Sequence, residues 1–430
     1  MAQIIIHPTK KLSGEITVDG DKSITHRAIM HAGLAKGKTR IRNYLFGNDC
    51  QATLQCMQGL GVKMDVRGQE ILADGRGMYD FVTPQAPLNC VRSGTSMRLF
   101  MGLLAGQGHE KLILDGEEQL RNRPMERVAI PLRSMGAKIS TTNGKAPVVI
   151  ERSQLRGRQI ELEVPSAQVK SAVIYAALYA SGETVIRQSA PTRDHTERML
   201  MAQGADIHQE HGDIFIGHEH ELTPLDILVP GDISSAAFPL VASVLCEGSH
   251  IAIREVGINA TRIGILDILA SFGCKIEIAD GHPEAAEPFG TLVAIHQGLE
   301  ASEIYGDVIV RAIDEIPLAA LLATQANGRT VIRDAQELRV KETDRIATIS
   351  SELNKMGAKI EPTPDGMIIE GPTALKGSLV DSHGDHRIAM ALFIAGMIAS
   401  GDTRIEGFEC VTDSFPGFLE VMKAIGARYE

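Results

Sequence analysis

Glycine placement constrains this chain more than any other feature. An alanine-rich helical run from Ala172 to Ala180 stops at Ser181-Gly182, and Thr184-Val185-Ile186 then reads as a strand. A second helical run, Thr196 to Gln203, stops at Gly204, and Ala205-Asp206-Ile207 opens another extended segment. Only glycine enters the left-handed region without penalty, so a Gly after a periodic run is the expected helix stop. The first kind of stop, a small-apolar helix, Gly and an apolar strand, recurs at Gly37, Gly108, Gly182, Gly248, Gly328 and Gly401. The second, a helix ending in Gly-Ala-Lys-Ile or a relative of it, recurs at Gly61, Gly136, Gly204, Gly273, Gly357 and Gly426. The two series alternate without exception, 22 to 29 residues apart within each pair. A period of roughly 70 to 80 residues exceeds that of solenoid arrays, so each period is expected to be a small βαβ-type fold.

Six copies divide three and three, with Pro230-Gly231-Asp232 as the linker. The expected domains are 21–231 and 1–20 plus 232–430. The first twenty residues, two strands (Ile4-Ile5-Ile6 and Ile16-Thr17-Val18) around a turn at Gly14, go with the second domain. His282 to Gly290, rich in Pro, Ala and Glu, reads as a loop. The longest apolar run, Ile388 to Ala399, is too short to span a bilayer and fits a buried helix. No basic region followed by an apolar segment marks a signal peptide near Met1. The cysteines at 50, 56, 90, 246, 274 and 410 are scattered, with no Cys-x-x-Cys, so a reduced cytoplasmic protein without structural zinc is expected. A net charge of −11, 4% aromatic residues and no Trp argue against a nucleic-acid binder. An acidic protein that binds small anions must instead concentrate Arg and Lys in one place.

The helix starts hold such concentrations. Lys22, Ser23 and Arg27 sit at the first, Ser93, Gly94, Thr95 and Arg98 at the second, Ser166, Gln168 and Lys170 at the third. Free N–H groups and the helix dipole make these ends natural anion sites. Ser and Thr there also serve as plain N-caps. Cations are harder to explain that way, because a positive charge at a helix N-terminus is unfavourable without an anion to hold. In Leu338 to Arg345, helical spacing would align Lys341 with Arg345 and set Glu342 beside Arg345. The alternative is a solvated helix face with ion pairs. Ser382 to Arg387 enters another apolar helix, and its His383 and His386 make a weak metal signal. Asp314 and Glu315 precede Ile316-Pro317 at a further helix start.

Together these motifs resemble the 5-enolpyruvylshikimate-3-phosphate synthase family. The resemblance is carried by Asp-Lys-Ser-Ile-Thr-His-Arg at 21–27, Ser-Gly-Thr-Ser-Met-Arg at 93–98, Arg-Pro-Met at 123–125 and Ser-Ala-Gln-Val-Lys-Ser at 166–171. It continues through Pro-Thr-Arg-Asp-His-Thr-Glu-Arg at 191–198, Pro-Gly-Asp-Ile-Ser-Ser-Ala-Ala at 230–237, Leu-Arg-Val-Lys-Glu-Thr-Asp-Arg at 338–345 and Gly-Asp-His-Arg at 384–387. It looks closer to the branch found in many Gram-positive and glyphosate-tolerant enzymes. It implies an α/β fold of two similar domains, each three copies of a βαβαββ unit, with the active site in the cleft between them.

The implied reaction moves the enolpyruvyl group of phosphoenolpyruvate to the 5-hydroxyl of shikimate 3-phosphate and releases phosphate, with no metal and no cofactor. Both substrates are small anions, and a monomer is expected. By resemblance, Lys22, Ser23, Arg27, Ser166, Gln168, Arg193, Asp314 and Lys341 would hold shikimate 3-phosphate. Lys22, Gly94, Arg123, Gln168, Arg345 and Arg387 would hold phosphoenolpyruvate. Asp314 is the expected base toward the hydroxyl, Glu342 the proton donor to carbon, and Lys22 the assistant to phosphate departure.

Two alternatives stand beside this. A UDP-N-acetylglucosamine enolpyruvyl transferase would carry a reactive Cys, or sometimes Asp, before its Arg-Pro; residues 114–123 contain no Cys but include Asp115. A non-catalytic anion-binding paralogue would lack the acid–base residues, and all three are present. Two positions depart from the family pattern. Val91-Arg92 stands where Gly-Asn is usual, and Asp413 where many relatives carry Lys. Valine is expected to be unable to take the positive φ open to glycine. Arg92 would either point outward to a surface acid or offset the cation missing at 413.

Overall fold

The computed structural model describes residues 3–282 and 286–430. The middle of the expected 282–290 loop lies outside the described residues, as do the first two. The chain divides into two compact units, Gly20–Val229 and Met1–Asp19 with Pro230–Glu430. Each has its own continuous apolar core.

The repeat is clearest in the second copy. Strand Leu88–Asn89 leads to helix Gly94–Ala105 and strand Lys111–Asp115. Helix Glu126–Ser134 and the strands Lys138–Thr142 and Lys145–Glu151 complete it, giving the βαβαββ order. Its four strands form one sheet in the spatial order first, second, fourth, third. The first pair is parallel and the other two pairs antiparallel. A parallel pair requires a crossover, and the first helix supplies it. Six four-stranded sheets repeat this order. Three strands come from a distance. Ile227–Leu228 is the parallel first strand of copy one, and Ser13–Ile16 is that of copy four. Gln3–His7 is the fourth strand of copy six, between Thr403–Glu406 and Arg428–Tyr429.

The twelve glycines all have positive φ, between +69° and +130°. In the second series the Gly N–H reaches the carbonyl three residues back and the next N–H the carbonyl five back. Gly61 N thus donates to Gln58 O at 2.9 Å and Val62 N to Met57 O at 3.1 Å. The same pair of bonds recurs at Gly136, Gly204, Gly273, Gly357 and Gly426. This is the Schellman stop, in which a left-handed residue satisfies two orphan carbonyls. The first series differs from expectation. Four of its helices end instead at extended residues, Ala35, Cys246, Ala326 and Ala399, before the glycine is reached. There the glycine turns the chain into the next strand. The helix expected over 172–180 likewise lies at Ala167–Ala177, starting in the polar Ser166-Ala167-Gln168 segment.

The first helix of each copy is buried almost all round, as in His386–Ile398, where residues 386–397 are all buried. The second helix buries one face, as in Glu126–Ser134, which buries Val128, Ala129 and Leu132. A helix apolar on every side must be interior, and an amphipathic one lies at the surface. The first helices therefore line each unit's core, and their N-termini bring the polar motifs together. No described helix is long and apolar enough to cross a membrane.

Gly102 shows how closely these helices approach. A Cβ there would lie 1.9 Å from the carbonyl oxygen of Ala172 on helix Ala167–Ala177. Backbone cannot yield as a side-chain tip can, so Gly102→Ala must separate the two helices. The expected loss is about 1–3 kcal/mol or more despite alanine's better helix propensity. Denaturant unfolding measures it, and an unchanged midpoint would mean that the helices slide freely.

Candidate active site

In unit Gly20–Val229, Asp21 caps helix Lys22–Leu34 by accepting from Ile24 N at 2.8 Å. Lys22 Nζ lies 3.3 Å from Asp49 Oδ2. Part of the anion that its helix-start position calls for is thus supplied by the protein. Sequence reasoning missed Asp49, because an acid in a first helical turn needs no other explanation than the dipole. Arg27 is 2% exposed. Its Nε donates to Thr196 Oγ1 at 2.6 Å, Nη1 to Ser23 O at 2.8 Å and Nη2 to Ser171 Oγ at 2.8 Å. Burial lowers its pKa, and a guanidinium remains charged even so. Arg27 therefore braces Ser23 from within. Ser23 Oγ in turn accepts from Arg193 Nη1 at 3.4 Å.

A second cluster lies at helix Gly94–Ala105. Ser93 caps it by accepting from Ser96 N at 3.1 Å. A Cβ at residue 94 would lie 2.9 Å from Arg123 Nη1 and 3.0 Å from Arg98 Nη1. Glycine lets two guanidinium groups rest against the start of this helix, and any side chain would push them away. Arg98 Nη1 donates to Gln168 Oε1 at 2.6 Å, and Gln168 Nε2 to Thr95 Oγ1 at 2.9 Å. Gln168, Thr95, Arg98, Arg123 and the Gly94 backbone are thus one constellation. Ser166 is the cap residue of Ala167–Ala177, and its side chain makes no capping bond.

The other unit has its own centre at Arg345, 2% exposed. Its Nε donates to Asp385 Oδ2 at 2.8 Å, Nη2 to Glu342 Oε2 at 2.7 Å and Asp385 Oδ1 at 3.3 Å, and Nη1 to Asp314 Oδ1 at 3.3 Å. Lys341 Nζ is 3.8 Å from Asp314 Oδ1. The acid–base candidates Asp314 and Glu342 are thereby tied to one guanidinium. Asp385 also caps helix His386–Ile398 through Arg387 N at 2.9 Å. Burial pushes the Asp385 carboxyl up, but Arg345 and His386 outweigh it and hold it below its ordinary value. Arg387 Nη1 donates to Ser234 O at 3.2 Å. Ser234 Oγ donates to Glu315 and accepts from Arg262 Nη2 at 2.7 Å. Burial raises the Glu315 carboxyl, opposed by Arg262 and reinforced by Asp314.

Several expectations are corrected. Residues 336–340 form a short 3₁₀ turn and the α-helix begins only at Arg345, so Lys341 and Arg345 share no helix face. Asp344 caps that helix by accepting from Ala347 N, which ends the regular run on its other side. Val91 does adopt positive φ, at +52°. Its backbone is held on both sides: Val91 N donates to Asn89 Oδ1 at 2.9 Å and Val91 O accepts from Glu117 N at 2.8 Å. Such strain persists where the surroundings over-determine it. Arg92 takes the surface alternative, with Nε 2.8 Å from Glu117 Oε2 and both side chains half-exposed. Asp413 ends a short 3₁₀ turn, Phe408–Asp413. His383 faces Glu352, 3.0 Å from Oε1, rather than His386.

Comparison with known proteins places this arrangement. A family model described as EPSP synthase (3-phosphoshikimate 1-carboxyvinyltransferase) matches residues 6–422. Curated relatives called 3-phosphoshikimate 1-carboxyvinyltransferase include one from Citrifermentans bemidjiense, 47% identical over 430 residues and all of both chains. One from Bacillus subtilis is 44% identical over 420 residues, 97% of this chain and 98% of that one. The solved EPSP synthase of Acinetobacter baumannii superposes with a TM-score of 0.90 at 40% identity, covering 100% of this chain and 99% of that one. With fold, motif order and full-length similarity in agreement, the chain belongs to the EPSP synthase family.

Proposed function

We propose that the chain transfers the enolpyruvyl group of phosphoenolpyruvate to the 5-hydroxyl of shikimate 3-phosphate and releases phosphate. The observation that carries this reading is the pair of guanidinium groups against the Gly94 helix start, 2.9 and 3.0 Å from where a Cβ would be. Two guanidinium groups beside a helix N-terminus favour an anion between them, which the free N–H groups there also attract. Phosphoenolpyruvate brings a phosphate and a carboxylate, both suited to the planar Arg fork. Lys22, Gly94, Arg123, Gln168, Arg345 and Arg387 are its proposed holders. Lys22, Ser23, Arg27, Ser166, Gln168, Arg193, Asp314 and Lys341 are those of shikimate 3-phosphate, with Arg27 acting through Ser23.

The chemistry is addition followed by elimination. Asp314 takes the proton of the 5-hydroxyl as its oxygen bonds to the substituted enol carbon. Glu342 gives a proton to the methylene carbon, which becomes a methyl group. In the second step the Glu342 carboxylate takes a proton back from that methyl, the double bond re-forms and the C–O bond to phosphate breaks, the proton held by Asp314 leaving with the phosphate and Lys22 next to the departing oxygen. A monomer working on small anions in the cytoplasm accompanies this reading. The test is phosphate release from phosphoenolpyruvate with shikimate 3-phosphate or UDP-N-acetylglucosamine as acceptor. Release is expected with the first alone. Release with the second alone, or with neither, overturns the proposal.

A further inference from the structure

Lys170 sits in the first turn of helix Ala167–Ala177, two residues after Gln168, yet its side chain is 1% exposed and its ammonium is turned to protein partners. Its Nζ lies 2.7 Å from Glu197 Oε1 and donates to the Thr192 carbonyl at 3.0 Å. Thr192 immediately precedes Arg193. The neighbouring loop runs from the end of strand Thr184–Gln188 to helix His195–Ala202. Thr192 Oγ1 gives it a weaker tie to Gln188 Oε1 at 3.3 Å. The helix that ends the loop is gripped at its start from two sides. Arg27, from helix Lys22–Leu34, donates to Thr196 Oγ1, and Lys170, from helix Ala167–Ala177, reaches Glu197.

A buried ion pair is a poor source of stability, because apolar residues of the same volume do as well or better. Its better-attested use is to fix one arrangement among several. Here the arrangement fixed is the backbone next to Arg193, whose guanidinium meets Ser23 Oγ at 3.4 Å. We propose that Lys170 is a positioning residue for shikimate 3-phosphate, locking the Thr192-Arg193 backbone onto the helix that carries Ser166 and Gln168. This rests on the substrate reading above. The pair also makes Glu197 part of the device, in the first turn of its helix where an acid suits the dipole.

The test begins with the wild-type chain, since failure to turn over shikimate 3-phosphate would sink the substrate reading itself and is recorded separately. With turnover established, Lys170→Met is compared with the double variant Lys170→Met, Glu197→Gln, which removes both charges of the pair together. The KM for shikimate 3-phosphate should rise roughly tenfold or more in both, while that for phosphoenolpyruvate stays within about twofold. In an Arg193→Ala background, Lys170→Met should add little to the shikimate 3-phosphate effect, because both changes act through one contact. A folded variant with unchanged KM for shikimate 3-phosphate overturns the proposal. So does an equal rise in both constants, or full additivity with Arg193→Ala. A double variant that does not fold assigns the pair to the core and overturns it as well.

Discussion

Asp314→Ala and Glu342→Ala are each expected to lower turnover by at least roughly 10²-fold, the scale of one general acid or base. The ordinary objection is that such a variant has merely unfolded. The geometry at Arg345 answers it. Either substitution removes one carboxylate from a guanidinium that keeps Asp385, bonded at 2.8 and 3.3 Å, and the other acid. Asp314 and Glu342 are about one-fifth exposed, so water can replace them at the guanidinium edge. Thermal unfolding should therefore move little while the rate collapses. Binding of shikimate 3-phosphate, followed by calorimetry, should persist. Near-normal turnover in either variant removes that residue from its role. A matching collapse of stability would reassign it to the scaffold.

Arg345→Leu, unlike these, should lose stability. Asp385, with 0% side-chain exposure, would be left as a buried carboxylate without its principal cation. Breaking such a pair costs about 3–5 kcal/mol, more than deleting a surface contact. The loss should depend on pH with a definite sign. In the wild type the Asp385 carboxyl is held below its ordinary value. Its contribution is therefore complete above the unfolded carboxyl pKa of about 4 and is lost as pH falls through the lower folded value. In the variant, burial loses its main counterweight and shifts the balance toward the protonated acid, with His386 still opposing. The deficit should be largest near neutrality and should narrow as pH falls toward the ordinary carboxylate range. Unfolding by denaturant at pH 7 and near pH 5 measures this. A deficit equal at both would show that Asp385 is not the group left stranded.

The two kinds of glycine explain what could be read from the residues alone. A left-handed φ is a local demand that glycine meets at no steric cost, so all twelve positions were legible as turns. Whether the turn ends a helix or opens a strand depends on the preceding residues. Ala35, Cys246, Ala326 and Ala399 end their helices in extended conformations that no short-range pattern marks. Val91 shows the limit of propensity. Steric preference argued against its φ of +52°, and bonds to Asn89 and Glu117 prevail. At the site, the helix-start cations could be picked out by residue type and Glu342 beside Arg345 by spacing, whereas the more distant partners could not. Asp385 is 40 residues from Arg345, and Asp49 is 27 from Lys22. The first pair joins copies five and six, and the second joins the two helices of copy one. Lys170 carries the residue type of a substrate ligand, but its ammonium is taken by Glu197 and the Thr192 carbonyl, which spacing does not encode.

The borrowed strands bear on how the polypeptide emerges from the ribosome. Residues 20–229 contain every strand of their three sheets, Ile227–Leu228 included. That unit can finish folding while the remainder is still being translated. Strand Gln3–His7 is made before the other described strands, yet its sheet partners are Thr403–Glu406 and Arg428–Tyr429. Until those strands are translated it has no native neighbour, and an unpaired apolar strand is what draws other chains into aggregates. The three consecutive isoleucines at 4–6 are thus a hazard for the nascent chain. The unit 20–229 is an insertion between the first strands of its partner unit and the rest of it, so Gln3–His7 pairs with its sheet only across that whole insertion.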